Sequence, residues 1–421
     1  MAVSRGSVQH SIIEDFWNTL VSQIAPRSTS KRATVKQKET VCQKIENKLG
    51  FKNITLFPYA RSAFHAILTS LNLPPNSEIL LTPISIGPML EIIKSLGHKP
   101  VFVDIELETF CADPLELEKK LKTKPSCFLL TYLFGYVPNI EKIASMCEKH
   151  GTILIEDISH NICATFKGRP LGTFGAAAIY SASLLKYLDA YNGAFATTNK
   201  LSLHHSLNKK VSAYTIPGPK RIKRIIKTTL VWNISLSKIP FSMIIYPLLS
   251  LIKKINREKF EAILGAKIKF ELSEKLPRYY FEDISWIQCN MISKQLDKLN
   301  EKIKKRIRKV SEISDIAQKI MGRSLIPNIN SPDNIRENTF WQLVIPVNNL
   351  LKSRDALFSM GVETGATNLL NLASFQGIEL KAAKRLKQNF IFIPIHENIS
   401  IKKYNKIFTC LKEISSSSKE L

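Results

Sequence analysis

The sequence predicts an α/β protein built on a mostly parallel sheet, with a second, smaller α/β lobe toward the C-terminus. Three observations carry that reading. From about residue 55 to 200, short β-rich apolar runs alternate with amphipathic stretches of helical period, the pattern of a sheet covered by helices. After Pro327 the same alternation resumes. A chain of 421 residues with 44% hydrophobic content also buries a core large enough for two closely packed lobes.

Taken in order, strands are expected at 78–82 (EILLT), 100–104, 127–131, 153–155, 177–181 and 193–197, after an initial strand in TLFPY. Helices are expected between them at 62–71, 89–96, 114–121 and 140–150, where apolar residues recur at helical spacing. Residues 283–310 form one long helix pattern with Ile284, Ile287, Met291, Leu296, Leu299 and Ile303 on one face. Its basic end suits either a helix C-terminus or a binding patch. The last lobe contributes strands in WQLVIPV and FIFIPI and helices at 351–360 and 401–414. Four segments result: an N-terminal helical segment (1–54), a large α/β domain (55–202), a basic and apolar insertion (203–277), and the long helix with a small C-terminal domain (278–421).

The insertion breaks the rhythm. Basic residues cluster in KKVSAYTIPGPKRIKRIIK, and the stretch 239–252 that follows is almost wholly apolar. Its 14 residues, broken by Pro240 and Pro247, are fewer than the roughly 20 that span a bilayer as a helix. A buried hairpin, an apolar subunit interface and an element lying on an anionic membrane through residues 221–257 all fit. Cationic flanks on both sides (Lys220 to Lys227, then Lys253, Lys254 and Arg257) favour the membrane surface.

Lys+Arg 60 against Asp+Glu 35 gives a net charge of +25, attractive to nucleic acid, an anionic membrane or a phosphorylated substrate. No nucleic-acid reader motif accompanies it, so no nucleic-acid partner is expected. Seven Cys without a CxxC pair argue against a disulfide framework and against a zinc or other metal site, and point to a reducing compartment. Glu14 and Asp15 interrupt the apolar part of the N-terminus, so no signal peptide is expected. The C-terminal SKEL departs from KDEL at two of four positions. The expected location is the cytoplasm, with peripheral attachment to a membrane's inner face if the insertion docks there.

The chemistry concentrates in residues 155–198, IEDISHNICATFKGRPLGTFGAAAIYSASLLKYLDAYNGAFATT. Asp157 ends a short apolar strand, and Lys186 follows 29 residues later, just after the strand AIYSAS. Both project from strand ends toward a common crevice, where ligands bind in open α/β sheets. A pyridoxal 5'-phosphate (PLP) site needs such a pair: a desolvated lysine that attacks the cofactor aldehyde and shuttles a proton, and an acid that keeps the pyridine nitrogen protonated. Ser181 lies five residues before Lys186, and Ser62-Ala63 open a helix after TLFPY. Hydroxyls and free amides at a helix start cradle phosphate. By itself an Asp and a Lys at this separation is a modest signal.

Read as an ordered series, ARSAFHAIL, EILLTP, GHKPVFVDIELETFCADPLELEKKL, LTYLFGYVPNIEKIASMCEKHG, LIEDISHNICATFKGRPLGTFG and YSASLLKYL resemble the sugar aminotransferases of the DegT/DnrJ/EryC1/StrS family. Weaker similarity continues through DISWIQCNMISKQLDKLNEKI, SMGVETG and IFIPIHENIS, and residues 203–277 have no counterpart. The resemblance implies an α/β fold type I PLP-dependent transferase, aspartate-aminotransferase-like. It implies that Lys186 carries the cofactor, that Asp157 meets the pyridine nitrogen, and that His160 lies near the 3′ oxygen. Ser181, Ser62 and Ala63 match the residues that hold the phosphate. A homodimer, an amino-acid donor (typically glutamate) and a keto-sugar acceptor, usually nucleotide-linked, are implied as well.

Departures cluster around the substrate. Ile86 or Gly87 stands where the family has a stacking aromatic, Tyr280 lies nearest to an Asn that reaches the partner's phosphate, and Asn192-Gly193-Ala194 replaces an acidic-Gly-Gly turn. GATNLLNLAS replaces a tyrosine-proline piece. The leading expectation is therefore transamination of a keto sugar, nucleotide- or lipid-linked, for a surface glycan. Sugar dehydration is a second reading, weakened because dehydratases of the family replace the cofactor lysine with His. A non-catalytic, membrane-associated scaffold is the third, motivated by the altered pocket.

Overall fold

A computed structural model describes all residues except 25–30, 265–269, 274, 327–335, 365–368 and 418–421. The C-terminal SKEL and the first four residues of GATNLLNLAS lie outside the described residues.

The N-terminal part contributes helices α1 (Ile12–Ile24) and α2 (Lys31–Leu49). The large domain then runs β1 (Thr55–Phe57), α3 (Ala60–Ser70), β2 (Glu78–Leu81), β3 (Ile84–Ser85), α4 (Gly87–Ser95), β4 (Lys99–Phe102), α5 (Pro114–Leu121) and β5 (Cys127–Thr131). It continues with α6 (Ile140–Lys149), β6 (Ile153–Asp157), β7 (Thr165–Phe166), β8 (Arg169–Pro170), β9 (Ala177–Ala182), β10 (Gly193–Thr198) and α7 (Leu201–Ser212). Seven strands form the central sheet in the order β1-β10-β9-β6-β5-β2-β4. From β4 to β9 all pairings are parallel, and β10 alone runs antiparallel to its neighbours.

The central strands are buried on both faces, which is why they read as continuous apolar runs. Successive residues of β5 point oppositely: Phe128 and Leu130 join the core that includes α2, α5 and α6, while Cys127 and Leu129 join the core under α3, α4 and α7. Helix starts follow local chemistry. Asp113 accepts from the amides of Leu115 and Glu116 at the head of α5, and Asn139 accepts from Lys142 at the head of α6.

The insertion is helical: α8 (Pro219–Leu236), α9 (Lys238–Pro240), a π-helical turn at Phe241–Ile245, α10 (Tyr246–Ile255) and α11 (Arg257–Ile263). It is not a buried hairpin, since Ile239, Met243, Ile244, Leu248, Leu251 and Ile255 are all exposed. No described helix is by itself long and apolar enough to cross a membrane; the pair Pro219–Leu236 and Lys238–Ile255, bent by 60°, passes on combined length and composition.

Helix α12 (Trp286–Met321) starts at a capping box between Ser285 and Gln288 and ends where Gly322 takes φ 71°. It therefore runs well past the expected residue 310, into the second lobe. That lobe comprises β11 (Arg336–Glu337), β12 (Leu343–Pro346), α13 (Leu350–Ser359), β13 (Leu370–Asn371), α14 (Lys381–Asn389), β14 (Phe390–Ile393) and α15 (Ile401–Ser417). β12 and β14 pair antiparallel over a core that also takes Val310, Ile313 and Ala317 from α12. The extended N-terminus joins the same lobe: the Val3 amide donates to Gly361, and Glu363 donates back to Val3. Three short pairings escaped the sequence, β7 with β8, β7 with β11, and β13 with β3. Two-residue strands carry no periodicity to read.

Two buried polar clusters hold the frame around the sheet. Glu156, fully buried in β6, accepts from the amides of Gly172 (2.7 Å), Phe174 (2.8 Å) and Gly175 (2.6 Å) and from the Tyr132 hydroxyl (2.7 Å). His10 lies between Asp15 (2.8 Å) and Asp189 (3.7 Å) and edge-on to Tyr191. Burial opposes its charge, but the two carboxylates outweigh burial and raise its pKa to about 9.

Glu156→Ala orphans one buried and two half-buried amides and a buried phenol and is expected to cost about 3 kcal/mol, read as a lower denaturant midpoint at unchanged slope. Because the His10 pKa rises on folding from 6.5 to about 9, its contribution is complete below pH 6.5 and is lost as pH climbs through about 9. Urea midpoints measured across that range are expected to fall in the wild type and to fall less in His10→Gln.

Candidate active site

The carboxyl ends of β5, β6 and β9 and the head of α3 converge on one cleft of about 230 Å³. Of the residues expected there, Asp157, His160, Ser181 and Lys186 line it together. Asp157 is the last residue of β6 and is buried; its carboxylate accepts from the Ser159 amide at 3.0 Å. Desolvation raises its pKa, opposed by the Ser159 hydrogen bonds and by the charge of Lys186.

Lys186 sits in the turn after β9. Burial lowers its pKa to about 7 from 10.5, against the pull of Asp157. The turn is tightly specified. Leu185 takes φ 68°, a left-handed conformation unusual for Leu; its amide donates to Asp189 (3.1 Å) and its carbonyl accepts from the Trp341 indole (2.9 Å). Lys186 Nζ lies 4.5 Å from the centre of the Trp341 ring. The same ring stacks on His160 at 3.9 Å and 14°. His160 Nδ1 accepts from the Phe134 amide (3.1 Å), which leaves the ring proton on Nε2, and burial followed by the charge of Lys186 keeps the ring neutral.

At the other end of the cleft, the Ser181 hydroxyl donates to Ser183 (3.1 Å), which also lines the cleft. Ser62, expected in the cleft, is not among its lining residues; it is fully buried, and its hydroxyl has no partner among the described residues. Ala63 differs from expectation. It is enclosed in α3, and both its amide and that of Ser62 donate to the Tyr59 carbonyl at 3.1 Å. The amides of Ala60 and Arg61 donate no hydrogen bond among the described residues, and both residues line the cleft.

Sequence reasoning did not single out Trp341, Arg61 or Arg221. The Arg61 guanidinium packs over Tyr59 (4.3 Å) and Tyr280 (4.8 Å). Arg221, from α8, packs over Tyr279 (4.5 Å) and donates to the Tyr59 hydroxyl (2.6 Å) and to Glu282 (3.3 Å). Tyr280 is buried against Arg61 and Tyr59 of its own chain. Ile86 and Met89 form the wall where a stacking aromatic was missing. At Gly87 a Cβ would stand 2.0 Å from the ring of Phe270, so only glycine admits that ring.

These residues fit PLP. A neutral-range amine, a buried carboxylate, the hydroxyls of Ser181 and Ser183 and the start of a helix in one cleft match its aldehyde, ring nitrogen and phosphate.

A family model described as the DegT/DnrJ/EryC1/StrS aminotransferase family matches residues 28–263. The chain is 34% identical over 138 residues to a pleiotropic regulatory protein of Geobacillus stearothermophilus, covering 32% of this chain and 37% of that protein. It is 25% identical over 174 residues to the GDP-perosamine synthase of Escherichia coli O157:H7, covering 40% and 48%. The match thus spans less than half the length of either curated relative. Among solved structures, the aminotransferase TlmJ of Streptoalloteichus hindustanus is similar at TM-score 0.72 and 15% identity over 100% of both chains. Helicobacter pylori PseC, an aminotransferase involved in the biosynthesis of pseudoaminic acid, is similar at TM-score 0.68 and 18% identity over 99% and 100%. The sheet order and these likenesses define an α/β fold of type I. With the family model covering more than half of its residues, this chain belongs to the DegT/DnrJ/EryC1/StrS aminotransferase family.

Proposed function

We propose that the chain is a PLP-dependent aminotransferase that moves an amino group from an amino acid, with glutamate as donor, to a keto sugar carried on a nucleotide or a lipid. The observation that carries the reading is the amine of Lys186, held near neutral pKa beside a buried carboxylate at the carboxyl edge of a parallel sheet. Bound in this cleft, PLP supplies an electron sink for the pair left on the donor's α carbon when its proton departs.

The protein's own groups do the rest. Lys186 would hold the cofactor through its uncharged amine and, once displaced by the donor's amino group, would be the base that takes the donor's α proton. Asp157 holds the proton at the pyridine nitrogen. His160 would meet the ring oxygen, and Trp341 braces His160 and the lysine turn at once. Ser181, Ser183 and the amides of Ala60 and Arg61 receive the phosphate. The acceptor's own phosphate suits the cationic mouth made by Arg61 and Arg221. A homodimer belongs to the same proposal. The retained Lys186 favours transamination over dehydration.

Titrating full-length protein with PLP is expected to give a long-wavelength absorption band that borohydride fixes covalently and that glutamate bleaches. Lys186→Ala is expected to lose the fixation. Absence of any band in the wild type removes the proposal, and a band that glutamate leaves unchanged removes the donor.

Because a lysine acts as nucleophile only when deprotonated, the lowered pKa predicts that the rate of PLP capture rises through pH about 7 and then levels. Asp157→Asn removes the charge that holds the amine's pKa up, so the midpoint is expected to move to lower pH. Stopped-flow capture rates against pH read both.

A further inference from the structure

Helix α1 is built inside out. It buries Asp15, Asn18 and Ser22 and exposes Ile13 (80%), Phe16 (67%), Trp17 (63%) and Leu20 (39%). The inward side is a polar network: Asp15 accepts from the Tyr191 hydroxyl (2.7 Å) and from the Asn233 amide (2.8 Å), and Asn18 donates to Tyr191 (2.9 Å). Helix α8, packed along α1, repeats the inversion over its last turns, with Thr229 and Asn233 buried and Val231, Trp232 and Ile234 exposed. Beyond the 60° bend the exposed apolar row continues with Ile239, Met243, Ile244, Leu248, Leu251 and Ile255.

A helix that faces water turns its polar side outward. Exposed apolar patches beyond a few hundred Å² are rare on soluble monomers and mark a partner or a membrane. Polar contacts inside and large apolar groups outside are the arrangement an apolar solvent favours.

Charge chooses the occupant. No Asp or Glu occurs between Asp189 and Glu258, whereas twelve Lys and Arg do. Lys220, Lys223, Arg224, Lys227, Lys238 and Lys254 are exposed around the apolar row, while Lys253 and Arg257 are paired with Asp355. A second copy on this face would set two cationic rims against each other in chains that each carry +25. An anionic phospholipid surface meets both demands, apolar contact and negative charge. No described helix is by itself long and apolar enough to cross, and the 60° bend with cationic residues on both flanks suits an element that lies along the interface.

We propose that α1 and the helices of residues 219–255 form one platform that docks on anionic phospholipid. Phe16, Trp17, Trp232, Met243 and Ile244 enter the boundary of the acyl chains, and Lys223, Arg224, Lys227 and Lys254 sit among the headgroups. Helix α8 carries both Trp232 of the exposed row and Arg221, which bonds the cleft-lining Tyr59. The platform is independent of the activity proposed for the cleft.

The test is flotation of the full-length protein with vesicles of phosphatidylcholine and phosphatidylglycerol, against vesicles of phosphatidylcholine alone. The wild type is expected to float with the anionic vesicles and to be released as salt rises. Phe16→Ser with Trp17→Ser, and separately Met243→Ser with Ile244→Ser, are each expected to weaken binding at least about tenfold at an unchanged melting temperature, since every side chain removed is exposed. Lys223→Glu with Arg224→Glu and Lys227→Glu is expected to abolish the preference for anionic lipid. A wild type that stays with neither vesicle overturns the proposal. So does flotation that survives loss of Phe16 and Trp17, because α1 then takes no part. If the serine pairs instead split an oligomer that vesicles never float, the face is a subunit contact and the platform is wrong.

Discussion

A dry, fixed lysine is the constraint on which the site depends. An amine with a pKa of about 7 exists only where water is largely excluded and no full counter-charge restores the ammonium. The chain meets this by fixing the turn that carries Lys186 from several sides. Asp189 takes the Leu185 amide, Trp341 of the second lobe takes the Leu185 carbonyl, and Gln295 of α12 brackets Asp189 through both of its backbone groups. The left-handed Leu185 is strain of the kind that persists when its surroundings over-determine it. The buried His10, clamped between Asp15 and Asp189, ties the N-terminus into the same network.

Two neighbouring carboxylates show how a strand divides labour. Glu156 and Asp157 are adjacent in β6, so their side chains leave opposite faces of the sheet. Glu156 is spent on structure, closing the 172–175 turn with its hydrogen bonds, while Asp157 faces the cleft and keeps capacity for a ligand. Similar burial raises the pKa of both, and different partners separate their uses.

The insertion couples the cleft to the outer surface. Its first helix supplies Arg221 to the aromatic cluster of Tyr59 and Tyr279, and the residue that follows it at a distance, Phe270, fills the space over Gly87 at the head of α4. The same helices carry the exposed apolar row. The family model runs through these helices to residue 263, so the segment is not without counterpart in the family, and it reaches both the aromatic cluster beside the cleft and the outer face.

Much of this was legible in the sequence. Strand and helix order follow from local periodicity and caps, and β5 and α5 fall at the residues the pattern marks. The convergence of Asp157, Ser181 and Lys186 follows from their places at strand ends in an α/β alternation. The basic and apolar bias of residues 203–277 is compositional and needs no fold to be seen. What the sequence could not decide lies in contacts between distant segments: Trp341 stacked on His160, Arg61 over Tyr280, and α1 against the end of α8. Nor could it show that Ser62 and Ala63 turn their amides to the Tyr59 carbonyl, because that depends on where the first turn of α3 closes. Periodicity records which face of an element is apolar; only packing decides which neighbour meets that face, and in α1 it turned the polar side inward and left the apolar side out.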